Sequence, residues 1–213
     1  LVVVPARAHD GTGTGTITIT GTTSAKEGED VSYSISGASI TYDGRSYTVT
    51  SENITNINWS GINGATANQA TYSGKAGTSD LSISCTADLS VTVTGDNEIT
   101  VTATTVRSNT ITVNVTSKEE EANAAFKTAV AGLVKYANRA TSLSGNKITA
   151  YKYTSDESPA WSVASAIGDT YSNIQFQSQP SAAVGNGSMT ITGTKAANAE
   201  AHEEATTVTA TFS

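Results

Sequence analysis

The sequence predicts a mainly β protein, in which an antiparallel β-sandwich is followed by an α+β module with one long helix packed on an antiparallel sheet. Apolar residues occupy every second position through most of residues 54–104, as at Leu81, Ile83 and Cys85. This alternation places them on one face of a strand and leaves the intervening Ser and Thr facing water. After residue 117 the apolar spacing changes to that of a helix. The change of period marks the boundary between the two parts.

The composition is typical of a β-rich protein with a wettable surface. Of the 213 residues, 15% are charged, well below the usual quarter, and Thr, Ser, Gly and Asn make up the difference. The length is near that of two domains. The net charge is −7 and Lys and Arg are dispersed, which excludes nucleic acid as an expected partner. No apolar run approaches the roughly 20 residues of a membrane helix, so no membrane span is expected.

Residues 1–14 are predicted to form an N-terminal arm or linker. The first four residues are apolar, and residues 6–8 match the small-residue pattern of a signal-peptide cleavage site. If retained, the apolar stretch must bury itself, either on its own sheet or on the sheet of a neighbouring subunit. Residues 9–16 alternate Gly and Thr, without the strand and helix of a phosphate loop, and are interpreted as a flexible linker. An assembly interface is assigned to the four apolar residues: Leu1, Val2, Val3 and Val4.

A β-sandwich is predicted over residues 15–116. Many short strands with turn signals at regular spacing indicate this architecture. Asp43 and Gly44 form the strongest hairpin signal between two strands. Trp59 is the large ring that can fill the gap between the sheets, and Cys85, the only cysteine, is expected to be a small buried hydrophobe. Strands are predicted at residues 16–20, 31–36, 39–42, 45–50, 54–59, 70–72, 81–87, 89–93, 99–104 and 111–115.

The N-terminal half resembles the bacterial immunoglobulin-like domains of the group 2 type. The resemblance rests on Trp59 on a middle strand, Ala70 to Gly74, Gly77 and Thr78, the alternating run from Leu81 to Ala87, and the two strands that follow. Such domains occur in phage tail and capsid decoration proteins and in bacterial surface adhesins. The resemblance implies an immunoglobulin-like sandwich and an extracellular location on a virion or bacterial cell surface. It implies no catalytic residues, because the family has none.

Residues 117–213 are predicted to form the α+β module. Ser117 and Glu120 fit a capping box, and an apolar stripe follows, which predicts a helix over residues 118–140 that residues 145–146 stop. The helix packs either on its own sheet or on a helix of another subunit. Strands are predicted at residues 147–154, 161–167, 172–177, 188–192 and 206–212. Residues 195–205 form either a short helix or a loop.

The sequence predicts no catalytic, cofactor or metal site, and therefore no enzyme. The two histidines are His9 and His202, and His202 lies among glutamates without the second histidine of a zinc helix. No Ser lies in a nucleophile elbow, and Cys85 has no nearby His. The acidic turns at residues 96–98 and 155–157 lack a full calcium-loop pattern.

The predicted function is a structural subunit of an extracellular or virion assembly, most closely a phage tail or capsid surface protein. It would act by subunit docking and surface presentation, with copies of itself or other subunits as partners. The alternative is a bacterial cell-surface adhesin or pilus-like subunit that binds a host surface glycan or protein. Aromatic rings that can stack on sugars are those of Tyr42, Tyr47, Tyr72, Tyr151 and Tyr153.

Overall fold

The chain folds into two compact units, Leu1–Ser117 and Lys118–Ser213. The computed structural model describes residues 10–68, 70–94, 98–136, 139–140, 142–144, 147–149, 161–179 and 188–212, of which residues 136, 139–140, 142–144 and 147–149 are described by their backbone alone. The mainly β prediction is confirmed, with several antiparallel sheets and one α-helix among the described residues. None of the helices in this part of the chain is long and apolar enough to cross a membrane.

The described residues of the first unit form two sheets. Its strands are β1 Gly11–Thr12, β2 Thr14–Gly21, β3 Ser24–Lys26, β4 Asp30–Tyr42, β5 Arg45–Thr48, β6 Ile54–Ser60, β7 Thr66–Ala67, β8 Thr71–Lys75, β9 Leu81–Val93, β10 Ile99–Arg107 and β11 Ile111–Thr116, with a 3₁₀ turn at Ser51–Asn53. The six-stranded sheet has the order β1-β10-β9-β11-β3, with β6 also paired to β9. The five-stranded sheet has the order β2-β4-β8-β7, with β5 also paired to β4.

Side chains from both sheets share one hydrophobic core. Ile17 and Tyr33 enter it from the five-stranded sheet, and Ile83 enters it from the six-stranded sheet. Trp59 on β6 stacks on Tyr72 of β8, with ring centroids 5.4 Å apart and planes inclined by 10°. The two rings therefore join the two sheets, and Trp59 fills the gap between them as the sequence predicts.

The segment of alternating Gly and Thr is part of this sandwich, which corrects its interpretation as a flexible linker. β1 pairs with β10, and β2 begins at Thr14, so residues 11–14 belong to the sheets rather than to the arm. A Cβ atom on Gly13 would lie 2.3 Å from Ile40 Cγ2, and one on Gly15 would lie 2.4 Å from Val106 Cγ2. These glycines are needed because the backbone passes close to core side chains. The alternation of Gly and Thr is thus an alternation of inward and outward positions.

The N-terminal strands run along one side of the sandwich and pair with both sheets in turn. β1 pairs in parallel with β10, β2 pairs in antiparallel fashion with β4 of the other sheet, and β3 pairs in parallel with β11. A parallel bridge between Ile17 and Ser108 lies between the two parallel ladders. The segment therefore joins the two sheets along this side.

Two pairs of predicted strands are continuous in the structure. Residues 31–36 and 39–42 form the single strand β4, and residues 81–87 and 89–93 form β9. In β4 the pairing with β2 skips Ser36, whose hydroxyl donates to the carbonyl of Thr18 at 3.2 Å. Before this bulge the buried side chains of β4 are at odd-numbered positions, as at Tyr33, and after it they are at even-numbered positions, as at Ala38 and Ile40. Because the alternation is interrupted there, the single strand β4 resembles two strands in the sequence.

In its described residues, the second unit has one helix packed on an antiparallel sheet, as predicted. Its elements are α1 Lys118–Ala131, β12 Lys135–Tyr136, β13 Arg139–Ala140, β14 Ser142–Ser144, β15 Lys147–Thr149, β16 Trp161–Ser162, β17 Tyr171–Ser178, β18 Met189–Lys195 and β19 Thr206–Phe212. The three antiparallel sheets are β13-β12-β16, β14-β15 and β17-β18-β19. Phe126 and Val130 of α1 are buried against the last sheet, in one cluster with Met189, Ile191 and Val208.

The helix is shorter than predicted. It ends at Ala131 instead of residue 140, because Gly132 follows and glycine is about 1 kcal/mol less favourable than alanine inside a helix. The N–H of Leu133 donates to the carbonyl of Val130 at 2.9 Å. Val134 is buried in the same core, and β12 begins at the next residue. The predicted stop at residues 145–146 lies outside the described residues.

Candidate functional site

The predicted interface of Leu1, Val2, Val3 and Val4 lies outside the described residues. The described chain begins at Asp10, next to β1, where Gly11 pairs with Val101. β10 begins at Ile99, so it has only two further positions on the N-terminal side of Val101.

A groove of about 410 Å³ lies at the end of the five-stranded sheet, beside the β4–β5 hairpin. The hairpin turns at Asp43 (φ 47°) and Gly44 (φ 71°), and this pair of positive φ angles suits a two-residue turn that follows the twist of the strands. The predicted Asp-Gly hairpin is therefore confirmed. Tyr42 is half-buried at the edge of the core. The groove is lined by Thr12, Gly13, Thr14, Thr41, Tyr42 and Asp43.

The solvent-facing side of the five-stranded sheet carries hydroxyl groups at almost every position. Cross-strand neighbours on this side pair Thr14 with Thr41, and Ser39 with Thr48. An exposed ion pair of 2.8 Å between Lys75 and Asp30 lies at one end of the sheet. The hydroxyl-bearing positions are Thr14, Thr16, Thr18, Thr20, Ser32, Ser34, Ser36, Ser39, Thr41, Ser46, Thr48, Thr66, Thr71 and Ser73. We call this set of residues the hydroxyl face.

A second groove, of about 640 Å³, lies within the second unit between the start of α1 and the sheet. His202 lies on it, in the turn of residues 198–203 that the sequence left as a helix or a loop. The side chain of Asn198 holds this turn by accepting hydrogen bonds from the N–H groups of Glu200 and Ala201. Lys195 and Glu203 form an ion pair of 3.0 Å across the turn. Sequence reasoning missed this groove because its walls come from opposite ends of the unit.

Many of the side chains that line the second groove are charged. Its carboxylates come from Glu119 and Glu121 on α1 and from Glu203 and Glu204 on the turn, with His202 beside them. Among the described residues, no three His, Cys, Asp or Glu side chains form a group that could hold a metal ion. Of the acidic turns considered for calcium, residues 96–97 and 155–157 lie outside the described residues, as does His9.

Cys85 occupies the buried position that the sequence predicts. It is 1% exposed, and its backbone N–H donates to the Ser108 hydroxyl at 2.9 Å. Burial raises the pKa of the Cys85 thiol above its ordinary value, and the interaction of the thiol with the Ser108 side chain opposes this only in part. The thiol therefore stays protonated near neutral pH and acts as part of the core.

The five tyrosines that the sequence suggests for sugar binding differ in their exposure in the structure. Tyr72 is excluded, because it is 4% exposed and its hydroxyl accepts from the N–H of Ile62 at 2.9 Å and donates to the Ile62 carbonyl at 3.0 Å. Tyr42 and Tyr47 are half-buried and adjacent to the hydroxyl face. Tyr151 and Tyr153 lie outside the described residues. Of these candidates, Tyr42 is the described tyrosine that lines a groove.

Comparisons of the chain with models of protein families, with curated proteins and with solved structures found no match.

Proposed function

We propose that the protein is a non-enzymatic structural subunit of an extracellular or virion assembly, built on an immunoglobulin-like sandwich. The strand order carries this proposal. We assign the letters A to G, in chain order, to the strands β2, β4, β6, β7, β8, β9 and β10. The order β2-β4-β8-β7 in the five-stranded sheet is then A-B-E-D, and the order β6-β9-β10 in the other sheet is C-F-G. These two orders define the immunoglobulin sandwich of the constant type. β5 is an addition to this pattern, since it pairs with strand B.

The resemblance of the sequence to bacterial immunoglobulin-like domains points in the same direction. Among the assemblies that contain such domains, we favour the surface of a phage tail or capsid. The hydroxyl face supports exposure to solvent, since threonine favours strands and its hydroxyl is wetted by water. In this function the chain acts by docking to other subunits and presenting its surface, and no step breaks a bond.

The N-terminal residues Leu1 to Val4 are the proposed docking element. Residues 1–4 precede β1 in the chain, and in the register set by Gly11 and Val101 the described part of β10 has two further positions, Ile99 and Thr100. The alternative left by the sequence is a sheet of a neighbouring subunit. Strand addition of this kind uses main-chain hydrogen bonds for affinity and alternate side chains for specificity.

Deletion of residues 1–4 tests this function in the full chain. We expect light scattering to show ordered multimers for the intact protein and monomers after deletion, with an unchanged thermal unfolding midpoint. A variant in which the four residues are replaced by serine keeps the length and should behave as the deletion does. Multimers of unchanged size after deletion contradict docking by the arm. An intact protein that stays monomeric at every concentration contradicts the structural function, and turnover of a polysaccharide would show that the protein is an enzyme.

A further inference from the structure

Asn63 and Gly64 lie at an exposed turn in the loop that joins β6 to β7. Gly64 has a φ of 70°, in the left-handed region that glycine adopts without strain. A Cβ atom built on Gly64 would meet no atom within 4 Å. The peptide bond between the two residues is therefore open to water and free of steric contact on the side of Gly64.

The two reactive groups of this turn are not engaged in hydrogen bonds. Among the described residues, neither the side-chain amide of Asn63 nor the backbone N–H of Gly64 has a hydrogen-bond partner. Other asparagines in turns have such partners. The side-chain oxygen of Asn68 accepts from the N–H and the hydroxyl of Thr71 at 3.0 and 2.8 Å, and that of Asn198 accepts two backbone N–H groups of its own turn. Asn63 therefore has a side chain that can rotate onto the following peptide.

The loop is fixed on both sides of this pair. On one side, the N–H and the carbonyl of Ile62 are both hydrogen-bonded to the Tyr72 hydroxyl, at 2.9 and 3.0 Å. On the other side, Thr66 of β7 pairs with Ser73 of β8. Only residues 63–65 lie between these two fixed points. A change in the length of the backbone at position 63 must therefore displace one of them.

An asparagine that is followed by glycine can lose its side-chain amide without a catalyst, because no side chain hinders attack by the glycine nitrogen. The nitrogen of Gly64 gives up its proton and bonds to Cγ of Asn63, the Cγ–Nδ2 bond breaks, and ammonia leaves a five-membered imide. Water then adds to one of the two imide carbonyls and breaks its bond to the Gly64 nitrogen. Opening at Cγ yields an aspartyl residue, whereas opening at the main-chain carbonyl yields an isoaspartyl residue. One water is consumed for each ammonia released, and nothing is oxidised or reduced.

We propose that this open turn makes Asn63 a site of spontaneous deamidation, and that the isoaspartyl product weakens the pairing of β7 with β8. Each product carries one additional negative charge. The isoaspartyl product also lengthens the main chain by one carbon between the anchors at Ile62 and Thr66. β7 is the strand that yields, because it has only two residues and ends the described order of its sheet. The reaction needs only water, so it does not depend on the docking function.

The test follows the loss of each side-chain amide in the full-length protein during storage at mildly alkaline pH, by peptide mapping and mass spectrometry. We expect Asn63 to react in the folded protein at a rate within about tenfold of its rate in urea, because the turn is already open. Retention of this amide in the folded protein, with loss in urea, overturns the proposal. The same pair of residues recurs at Asn186, outside the described residues, and peptide mapping separates the two sites.

The matched control is Ala199→Gly, which places a glycine after an asparagine whose side chain is hydrogen-bonded. We expect Asn198 in this variant to react about tenfold or more slowly than Asn63, because its side-chain oxygen is held by two backbone N–H groups. Equal rates at the two positions contradict the selection of Asn63 by its open turn.

Thermal unfolding tests the effect on β7. Asn63→Asp carries the added charge without the longer backbone and should unfold as the fresh wild type does, since position 63 is exposed. The isoaspartyl fraction of the stored wild type, separated by ion exchange, should unfold a few degrees lower. Asn63→Ser, which has no amide to lose, should keep its unfolding midpoint during storage. An isoaspartyl form that is as stable as Asn63→Asp overturns the proposed weakening of β7.

Discussion

The carboxylate of Asp88 accepts a hydrogen bond from the side-chain amide of Asn56 at 2.7 Å, and it accepts a second, also of 2.7 Å, from the backbone N–H of Thr105. Asn56 (φ 51°) and Thr105 (φ 53°) both lie in the left-handed region that residues other than glycine seldom adopt. They mark bulges in β6 and β10, the two strands that flank β9. One carboxylate on the central strand therefore stabilises a bulge on each side.

Asp88→Asn should lower the free energy of unfolding at pH 7, because the replacement loses a charged acceptor that serves two bulges. The hydrogen bond from Asn56, and after it that from Thr105, lowers the pKa of the Asp88 carboxyl below its ordinary value. A lowered pKa in the folded state contributes stability above the unfolded pKa of about 4, and this contribution is lost as the pH falls through the folded pKa. Urea unfolding from pH 7 to about pH 2 measures the effect.

The control for this prediction is Asp43→Asn, in the β4–β5 turn, where the left-handed φ of 47° suits asparagine as well as aspartate. The stability of the Asp88 variant should depend less on acid than that of the wild type, so the two curves should converge at low pH. Curves that remain parallel over the whole range would show that the carboxylate does not stabilise the bulges.

Tyr72→Phe should lower the free energy of unfolding and Tyr33→Phe should not, although each removes one buried hydroxyl from the same core. The Tyr72 hydroxyl satisfies both the N–H and the carbonyl of Ile62, and its loss leaves buried polar groups unpaired at a cost of about 1–3 kcal/mol. The Tyr33 hydroxyl is buried without a hydrogen-bond partner in the described part of the chain. Its removal should leave the stability unchanged or raise it, because no hydrogen bond is lost.

Denaturant unfolding of the two variants side by side measures this difference. The aromatic stack of Trp59 on Tyr72 is retained in Tyr72→Phe, so near-ultraviolet circular dichroism should confirm that the core is intact. A Tyr33 variant that is less stable than the Tyr72 variant would contradict the assignment of hydrogen bonds in this core.

Gly13→Ala should destabilise the first unit, since the added methyl group would meet Ile40 Cγ2 at 2.3 Å. Overpacking of this kind costs about 1–3 kcal/mol. The matched control is Gly77→Ala, where no atom lies within 4 Å of the added Cβ; it should be neutral or stabilising by about 0.4–1 kcal/mol through the unfolded chain. Thermal unfolding distinguishes the two. Equal stability would mean that residues 11–15 behave as the flexible linker that the sequence suggested.

The sequence predicted the strands where inward positions carry large side chains, as at Ile83 and Val101. The prediction of a flexible linker was wrong at Gly13 and Gly15, because residue type alone does not distinguish a glycine that permits close packing from one that permits flexibility. The signal was present in the strict alternation with Thr, which continues into Ile17 and Ile19. The apolar stripe likewise extended the predicted helix past Ala131, where the chain instead buries Val134 and enters β12.

The groove beside the β4–β5 hairpin could not be predicted from the sequence for a different reason. Its walls are about 30 residues apart in the chain, and only the register of β2 on β4 brings Thr14 next to Thr41. The identity of Tyr42 as a candidate came from its residue type alone. Its position on a groove follows from the bare backbone at Gly11 and from the tight hairpin at Asp43.

The parallel ladders of β1 with β10 and of β3 with β11 determine how the first unit responds to mechanical tension. β1 begins at one end of the side of the sandwich where the parallel ladders lie, and β11 ends at the other. A force that separates the two ends of this unit therefore pulls the parallel strands past each other along their length. The hydrogen bonds of both ladders are then sheared at the same time instead of being unzipped singly. A unit stretched by its neighbours would resist rupture, and its lifetime under load would be set by the rate of unfolding.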